Sequence, residues 1–393
     1  MVTTAQQIRD YQGPALLSYG FRPFFLFGAL WAVLAVAIWL PLLNERISLP
    51  TALTPIQWHV HELLFGFVPS IAAGFLLTAV PNWTGRLPVV GFPLFVLFLI
   101  WVAGRAAILA SAWIGQPIAA FVDLAFLSLL AIVIAREIIV SDHKRNLKVL
   151  VVIVLLLIGN ALFHLEVTFD SEGAYGERVG ITAIVLLIML IGGRIIPSFT
   201  RNWLVRRPTG RLPLPFGKFD AVAMFVSAAA LTSWILSPDS LLTALLAMAA
   251  FVGNAGRLVR WAGERVSAEP LVLILHIGYA FVPLGFLLLT LSILGLQYIA
   301  SAGALHGWTA GAIGVMTLAV MTRASLGHTG QPLRATRAIQ FVYAASVVAG
   351  LARVIAAFGI VREPMLQLAA IAWVLAFGGF VIIFGPLLIK HRS

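Results

Sequence analysis

Eight histidines are spread through a chain that otherwise has little use for polar side chains. Six of them, His59, His61, His164, His276, His306 and His328, stand within or just beyond long apolar runs. In hydrocarbon a strongly polar or ionisable side chain is costly and marks function by default. A neutral imidazole carries a lone pair and is the commonest metal ligand, so several facing inward predict a bound metal or a haem iron. A proton relay or structural interhelical hydrogen bonds would use the same residues. His143 and His391 lie in basic stretches and read as solvated.

The densest stretch runs from Gln57 to Arg86, where His59, His61 and Glu62 stand near the start of one apolar run. Residues two apart on a helix point about 200° apart, so His59 and His61 cannot both face one centre if both are helical. His59 and Glu62, three apart, share a face. The chain has no cysteine, which excludes disulfides, iron–sulfur clusters and thiolate ligands. A metal must therefore use His, Met, Asp, Glu or Tyr.

The elements that position these residues are set by composition. Of 393 residues, 61% are hydrophobic and 10% charged, against about 25% charged in a soluble domain. The chain reads as an all-α polytopic membrane protein, a single transmembrane domain over residues 1–393. Runs of about 20 apolar residues, enough to span a bilayer, fall at 22–43, 57–80, 91–113, 117–139, 148–168, 179–200, 219–237, 240–260, 270–295, 302–324, 336–358 and 366–389. The seventh and eighth are joined by the short turn Ser237-Pro238-Asp239. The first twenty residues lack the pattern of a cleaved signal peptide, so the first helix is expected to serve as an uncleaved anchor.

A net charge of +11 would fit nucleic acid if it formed one stripe, but it falls in alternate loops. The N-terminus (Arg9, Arg22), the even loops and the C-terminus (Lys390, Arg392) are basic. The sixth loop alone holds Arg201, Arg206, Arg207, Arg211 and Lys218. Odd loops hold Arg46, Arg178 and Arg362 against Glu45, Asp170, Glu172, Glu177 and Glu363. The positive-inside rule then places both termini in the cytoplasm. The second, sixth and tenth runs exit through Val80-Pro81-Asn82-Trp83-Thr84, Ile196-Pro197-Ser198-Phe199-Thr200 and Ala319-Val320-Met321-Thr322-Arg323. Spaced four helices apart, these raise the expectation of three pseudo-repeated four-helix units.

Orientation sorts the histidines by depth. His59, His61, His164 and His306 share the outer layer, with Glu62, Glu166 and Asn160 as acceptors that could hold ring N–H groups. His276 and His328 share the inner layer and could ligate a haem iron through one or both axial positions. Arg194, beside Gly192 and Gly193, could pair with a haem propionate or snorkel to the surface; Arg323 is a further cofactor-binding candidate. Arg105 and Arg353 are buried-arginine candidates on the same logic. Tyr279, three residues from His276, shares its face and with Glu62 is a candidate for proton or electron chemistry; packing is its other reading. Met316 and Met321 could be thioether ligands, with core packing as the simpler reading. No phosphate-binding glycine loop or nucleophile elbow is present.

Several blocks together resemble the NnrS family of bacterial inner-membrane proteins. They are Tyr19-Gly-Phe-Arg-Pro-Phe-Phe-Leu26, Trp58-His-Val-His-Glu62, Gly74-Phe-Leu-Leu-Thr-Ala-Val-Pro-Asn-Trp-Thr-Gly85, Gly192-Gly-Arg-Ile-Ile-Pro-Ser-Phe-Thr200 and the run from Gly314 through Arg323 and His328 to Gly330. The resemblance covers essentially the whole chain, in order. It implies twelve helices, haem b and copper, and a role in nitric oxide metabolism or relief of nitrosative stress in denitrifying and pathogenic bacteria. The ligand would be nitric oxide or its metal adducts, with an electron donor as partner. Haem–copper oxidases offer an architectural analogy only. The expected function is a redox or gas-binding metalloprotein, an oxidoreductase if it turns over. A transporter of a metal ion, haem or small anion, or a non-catalytic sensor or assembly factor, needs the same ligating histidines.

Overall fold

A computed structural model of the chain describes residues 11–140, 146–171, 174–295, 301–359 and 361–391. His143, Arg9, Lys144, Arg145, Glu172 and Arg392, used in the sequence reading, lie outside the described residues. Twelve helices are long and apolar enough to cross a membrane, and the described residues contain no strand. They are α1 (Phe21–Leu43), α2 (Pro55–Thr84), α3 (Phe92–Leu109), α4 (Gln116–Val140), α5 (Leu147–Thr168), α6 (Tyr175–Leu204), α7 (Lys218–Leu236), α8 (Leu241–Arg260), α9 (Pro270–Ile293), α10 (Ala302–Thr329), α11 (Arg337–Ala356) and α12 (Arg362–Ile389). The short turn between α7 and α8 is where the sequence places it, with Ser240 accepting the Thr243 N–H at 3.2 Å as an N-cap.

Three helices, α2, α6 and α10, run four or five residues past the ends their apolar pattern predicts. Pro81 and Pro197 were expected at exits, yet both lie inside their helices, which continue to Thr84 and Leu204. Proline removes one backbone donor, so a carbonyl is released that lipid cannot satisfy. Side chains beside Pro81 fold back on the helix: Asn82 Nδ2 donates to Thr78 O at 3.2 Å and Thr84 Oγ1 to Val80 O at 2.9 Å. The helix stops at Gly85, whose φ of 70° is left-handed and whose N–H reaches Pro81 O.

The chain divides into two compact units. One comprises Met1–Ala183, Ala324–Pro332 and Phe380–Ser393; the other comprises Ile184–Arg323 and Leu333–Gly379. In the first, α2 packs against α1, α3 and α4, and α4 packs against α3 and α5. In the second, α7, α8 and α9 pack in succession, and the middle of α10 lies between α9 and α11. Burial separates the helices by role. The apolar window of α2 is 83% buried and that of α9 72%, against 33% for α7 and α8. A side chain on α2 or α9 therefore meets protein where one on α7 mostly meets lipid.

One helix in each unit is locally widened. In α2 a regular α segment ends at His61 and a π segment continues over Glu62–Phe67; in α10 the α segment ends at His306 and a π segment continues over Gly307–Ile313. Such segments are rare and gather at functional sites. The sixth helix is α-helical from Tyr175 to Leu204, so α2 and α10 share this feature without α6.

The first unit also contains a contact of backbone on backbone between α5 and α6. A Cβ on Gly159 would lie 2.8 Å from Gly180 N, and one on Gly176 would lie 2.3 Å from Phe163 N. Small residues allow this approach, the usual means by which membrane helices gain packing. Glu166 adds to it by accepting the N–H groups of Tyr175 and Gly176 at 2.5 and 3.1 Å, a cap on the start of α6. We expect Gly176→Val to force the helices apart at Phe163 and cost about 1–3 kcal/mol, as overpacking does. A lowered thermal midpoint in detergent checks this; an unchanged midpoint would show that the contact bears no load.

Candidate metal centre

Within the first unit, α2, α3, α4 and α5 each send polar side chains to one buried point. His61 and Glu62 come from α2, Arg105 from α3, Asp123 from α4, and Asn160 and His164 from α5. All six are buried, His61 and Glu62 completely. Burial of so many polar groups is tolerable only if they satisfy one another, and most of their polar atoms do, Arg105 Nε and Asn160 Oδ1 being left without a hydrogen bond. His61 Nδ1 lies 3.0 Å from Glu62 Oε1, and His61 Nε2 lies 3.2 Å from Asp123 Oδ2. His164 Nε2 lies 3.1 Å from the same Asp123 oxygen, to which Asn160 Nδ2 also donates at 2.7 Å. Arg105 bridges the two carboxylates, donating from NH1 to Glu62 Oε2 at 2.9 Å and from NH2 to Asp123 Oδ1.

The local sequence makes room for this. A Cβ on Gly66, in the π segment, would lie 2.2 Å from Arg105 NH1. A Cβ on Gly104 would lie 3.1 Å from Asp123 Oδ1 and 3.3 Å from its Cα, so α3 and α4 meet closely there. Trp101, one turn before Arg105, donates its indole N–H to Gly66 O at 2.9 Å and ties α3 to the widened turn. The α–π junction falls between His61 and Glu62, so two consecutive residues serve the same cluster.

Hydrogen positions decide what the cluster can do. Both ring nitrogens of His61 face carboxylate oxygens, so a singly protonated ring donates to one of Glu62 and Asp123 and turns a lone pair to the other. With the N–H at Nδ1, the lone pair of Nε2 meets an Asp123 oxygen. Two acceptors 3.2 Å apart call for a proton or a cation between them. The Gln116 amide stands 3.2 Å from His164 Nδ1, and its Oε1 has no partner in the orientation that donates to the ring. Turned over, the amide accepts from Nδ1 and His164 presents a second lone pair at Nε2. Among the described residues, donor atoms of His61, Asp123 and His164 lie within 4.8 Å of one another. Metal bonds of about 2.0–2.1 Å place tetrahedral ligands about 3.3 Å apart, close to the two His–Asp distances. The donor set fits a small cation.

The other candidates lie elsewhere. His59 turns away from His61 and stacks on Trp39 with ring centroids 3.9 Å apart. Glu166 is occupied as the cap of α6. His328, exposed at the end of α10, rests on Tyr19 and Phe21 with centroids 5.2 and 5.5 Å away; burial pushes the Tyr19 phenol up to about 12, so it stays protonated there. In the second unit His276 Nε2 lies 2.8 Å from Thr200 Oγ1, while its Nδ1 faces Gly263, where a Cβ would lie 2.5 Å away. His306, in that unit, donates from Nδ1 to Ala302 O. Arg194 is exposed, and Arg323 lies over the Phe199 ring at 3.8 Å.

Tyr279 belongs to a second buried polar group. Arg257 donates to Tyr279 Oη at 2.6 Å and to Asp220 at 3.4 Å, and Tyr279 donates to Asn254 Oδ1 at 2.8 Å. The glycine pair of α6 does admit flat groups. A Cβ on Gly193 would lie 2.3 Å from Arg257 NH2 and one on Gly192 3.3 Å from Tyr279 Cδ2. Sequence reasoning overlooked Asp123, Gln116, Asp220, Asn254 and Arg257. A lone acid inside an apolar run was the available signal for Asp123.

The family model described as NnrS protein matches residues 15–392 of the chain. No curated protein matches it.

Breaking a buried ion pair from one side leaves a bare charge and costs about 3–5 kcal/mol, whereas removing both sides together costs far less. We expect Arg105→Met to lower the thermal midpoint in detergent sharply, and Arg105→Met combined with Asp123→Leu to recover part of the loss. Additive losses in this double-mutant cycle would mean that the two side chains are not coupled.

Proposed function

The chain belongs to the NnrS family, and from that premise we propose that it is a metal-binding protein of the bacterial inner membrane that relieves nitric oxide or nitrosative stress. The observation that carries the reading is the convergence of His61, His164 and Asp123, with Glu62 and Gln116 positioned to fix the ring tautomers. Copper at this point would supply one-electron redox chemistry and an affinity for a diatomic ligand. The chain's own residues do the rest. Glu62 holds His61 by its Nδ1–H, Asn160 and Arg105 hold Asp123, and the packed α2–α4 interface excludes water. Such outer contacts orient ligands and raise their basicity.

Haem b, the second cofactor of the reading, meets a less open environment at His276, since one ring nitrogen is held by Thr200 and the other faces the Gly263 backbone. Arg194 is exposed, and Arg323 is engaged with Phe199. These residues, as placed, do not form a haem cradle. Both termini are proposed to be cytoplasmic, which reporter fusions after Ser171 and Thr209 would test by opposite compartment signals.

The direct experiment is to purify the protein after metal- and haem-replete expression, measure copper and iron per chain, and record the visible spectrum. The reading expects copper that falls to background in His61→Ala and Asp123→Asn. Lack of copper in the unaltered protein would remove the metal-binding proposal, and a Soret band would show that haem is held by residues other than His276, Arg194 and Arg323. A transport reading draws on the interrupted helices α2 and α10, since discontinuous helices line many transport sites. Copper accumulation by vesicles under a proton gradient would favour it over a fixed centre.

A further inference from the structure

The cationic side chains at the C-terminal end of α6 divide into those the fold uses and those it does not. In the loop that follows, Arg211 pairs with Glu264 at 2.7 Å, and Arg265 donates to Arg211 O and Pro208 O at 2.6 and 2.9 Å. Arg207 lies over the Trp203 ring at 4.0 Å. Arg194 and Arg201, by contrast, are exposed on α6 itself, and so is Ser198 between them. Among the described residues, none of these three side chains has a hydrogen-bond or ion-pair partner.

Spacing puts the three on one line, because residues four and seven apart on a helix differ in direction by only about 40° and about 20°. The same line, continued toward the N-terminus, carries Leu187 and Leu190, both partly exposed. An apolar stretch thus leads into a cationic one along a single face. Arg194 stands about 15 Å before the helix end at Leu204, inside the apolar run 179–200. An arginine at that depth is costly unless it is paired or reaches the interface. Helical Cα–Cβ bonds tilt toward the N-terminus, here away from the polar end of α6, which works against reaching out. The missing counter-charge has to come from outside the chain. In a bilayer, the anion that arrives attached to apolar chains is a lipid phosphate. Guanidinium groups match phosphate by paired N–H donors, and the Ser198 hydroxyl adds another donor.

We propose that this face of α6 binds one anionic phospholipid, its phosphate held by Arg194, Ser198 and Arg201 and its acyl chains laid along Leu187 and Leu190. The site uses no residue of the histidine cluster and needs no metal.

The test uses the full chain, delipidated in detergent and titrated with phosphatidylglycerol or phosphatidylethanolamine. Bound lipid is counted by native mass spectrometry, and the thermal midpoint is followed in parallel. The unaltered protein should retain one phosphatidylglycerol per chain in preference to phosphatidylethanolamine, and its midpoint should rise. Arg194→Gln and Arg201→Gln should each weaken phosphatidylglycerol binding roughly fivefold, and together roughly thirtyfold, as the attraction of one arginine for an anionic headgroup predicts. Arg194→Lys and Arg201→Lys keep the charge and should keep most of the binding, which separates loss of charge from loss of fold. Arg206→Gln, exposed in the loop beyond α6, should leave lipid number and preference unchanged. An equal loss in Arg206→Gln would reduce the site to the general attraction of a basic loop for an anionic surface and overturn the proposal. Displacement of the lipid by inorganic phosphate, with the same rise in midpoint, would make this a free-anion site instead. Unchanged lipid number and preference in the double glutamine variant would overturn the assignment outright.

Discussion

The bridge from Arg105 to Glu62 and Asp123 is the constraint on which the first unit depends. It joins three helices, α2, α3 and α4, at a depth where water does not compensate a bare charge. Hydrophobic attraction between helices is weak in lipid, because lipid tails are as apolar as leucine. Close packing and polar contacts therefore carry much of the specificity. Here the two means coincide, since Gly66 and Gly104 are what let the guanidinium and the carboxylate approach. The histidines are held in place by the same ion pair that the fold needs.

The second unit solves a related problem differently. Arg257 is again fully buried, yet its partners are one carboxylate, a phenol, an amide and a backbone carbonyl. Trp261 lies alongside at 5.3 Å from the guanidinium carbon, adding a cation–π contact. Asp220 is shared with a second guanidinium, that of the half-buried Arg260, at 3.4 Å. The two groups thus differ in kind: carboxylates outnumber guanidiniums in the first and guanidiniums outnumber carboxylates in the second.

Much of the fold is legible in the sequence because bilayer physics is blunt. Twelve apolar runs of spanning length, separated by polar turns, leave little freedom in counting helices. The ends are harder. Pro81 and Pro197 look like exits, but their helices run on to Thr84 and Leu204. Sorting histidines by depth brings out His61 and His164 together, with Glu62 and Asn160. It does not reveal Asp123, which stands in a run whose remaining residues largely face lipid, nor Gln116, whose role depends on how α4 meets α5. The glycine pair at 192–193 predicts a flat neighbour but not its identity, because Arg257 and Tyr279 reach it from helices far away in the chain.

The π segments have a consequence for how such a chain changes over time. A π turn holds one more residue than the α turn it replaces, so it can be regarded as an insertion that the helix absorbed without breaking. Removing any one residue between Glu62 and Phe67 would restore a regular helix and rotate the stretch before it by about 100° relative to the remainder of α2. His61 would swing off the cluster while Arg105 and Asp123 stayed behind. Length in this stretch is thus under tighter constraint than composition, and a chain that lost the extra residue would have to find another ligand to keep the centre.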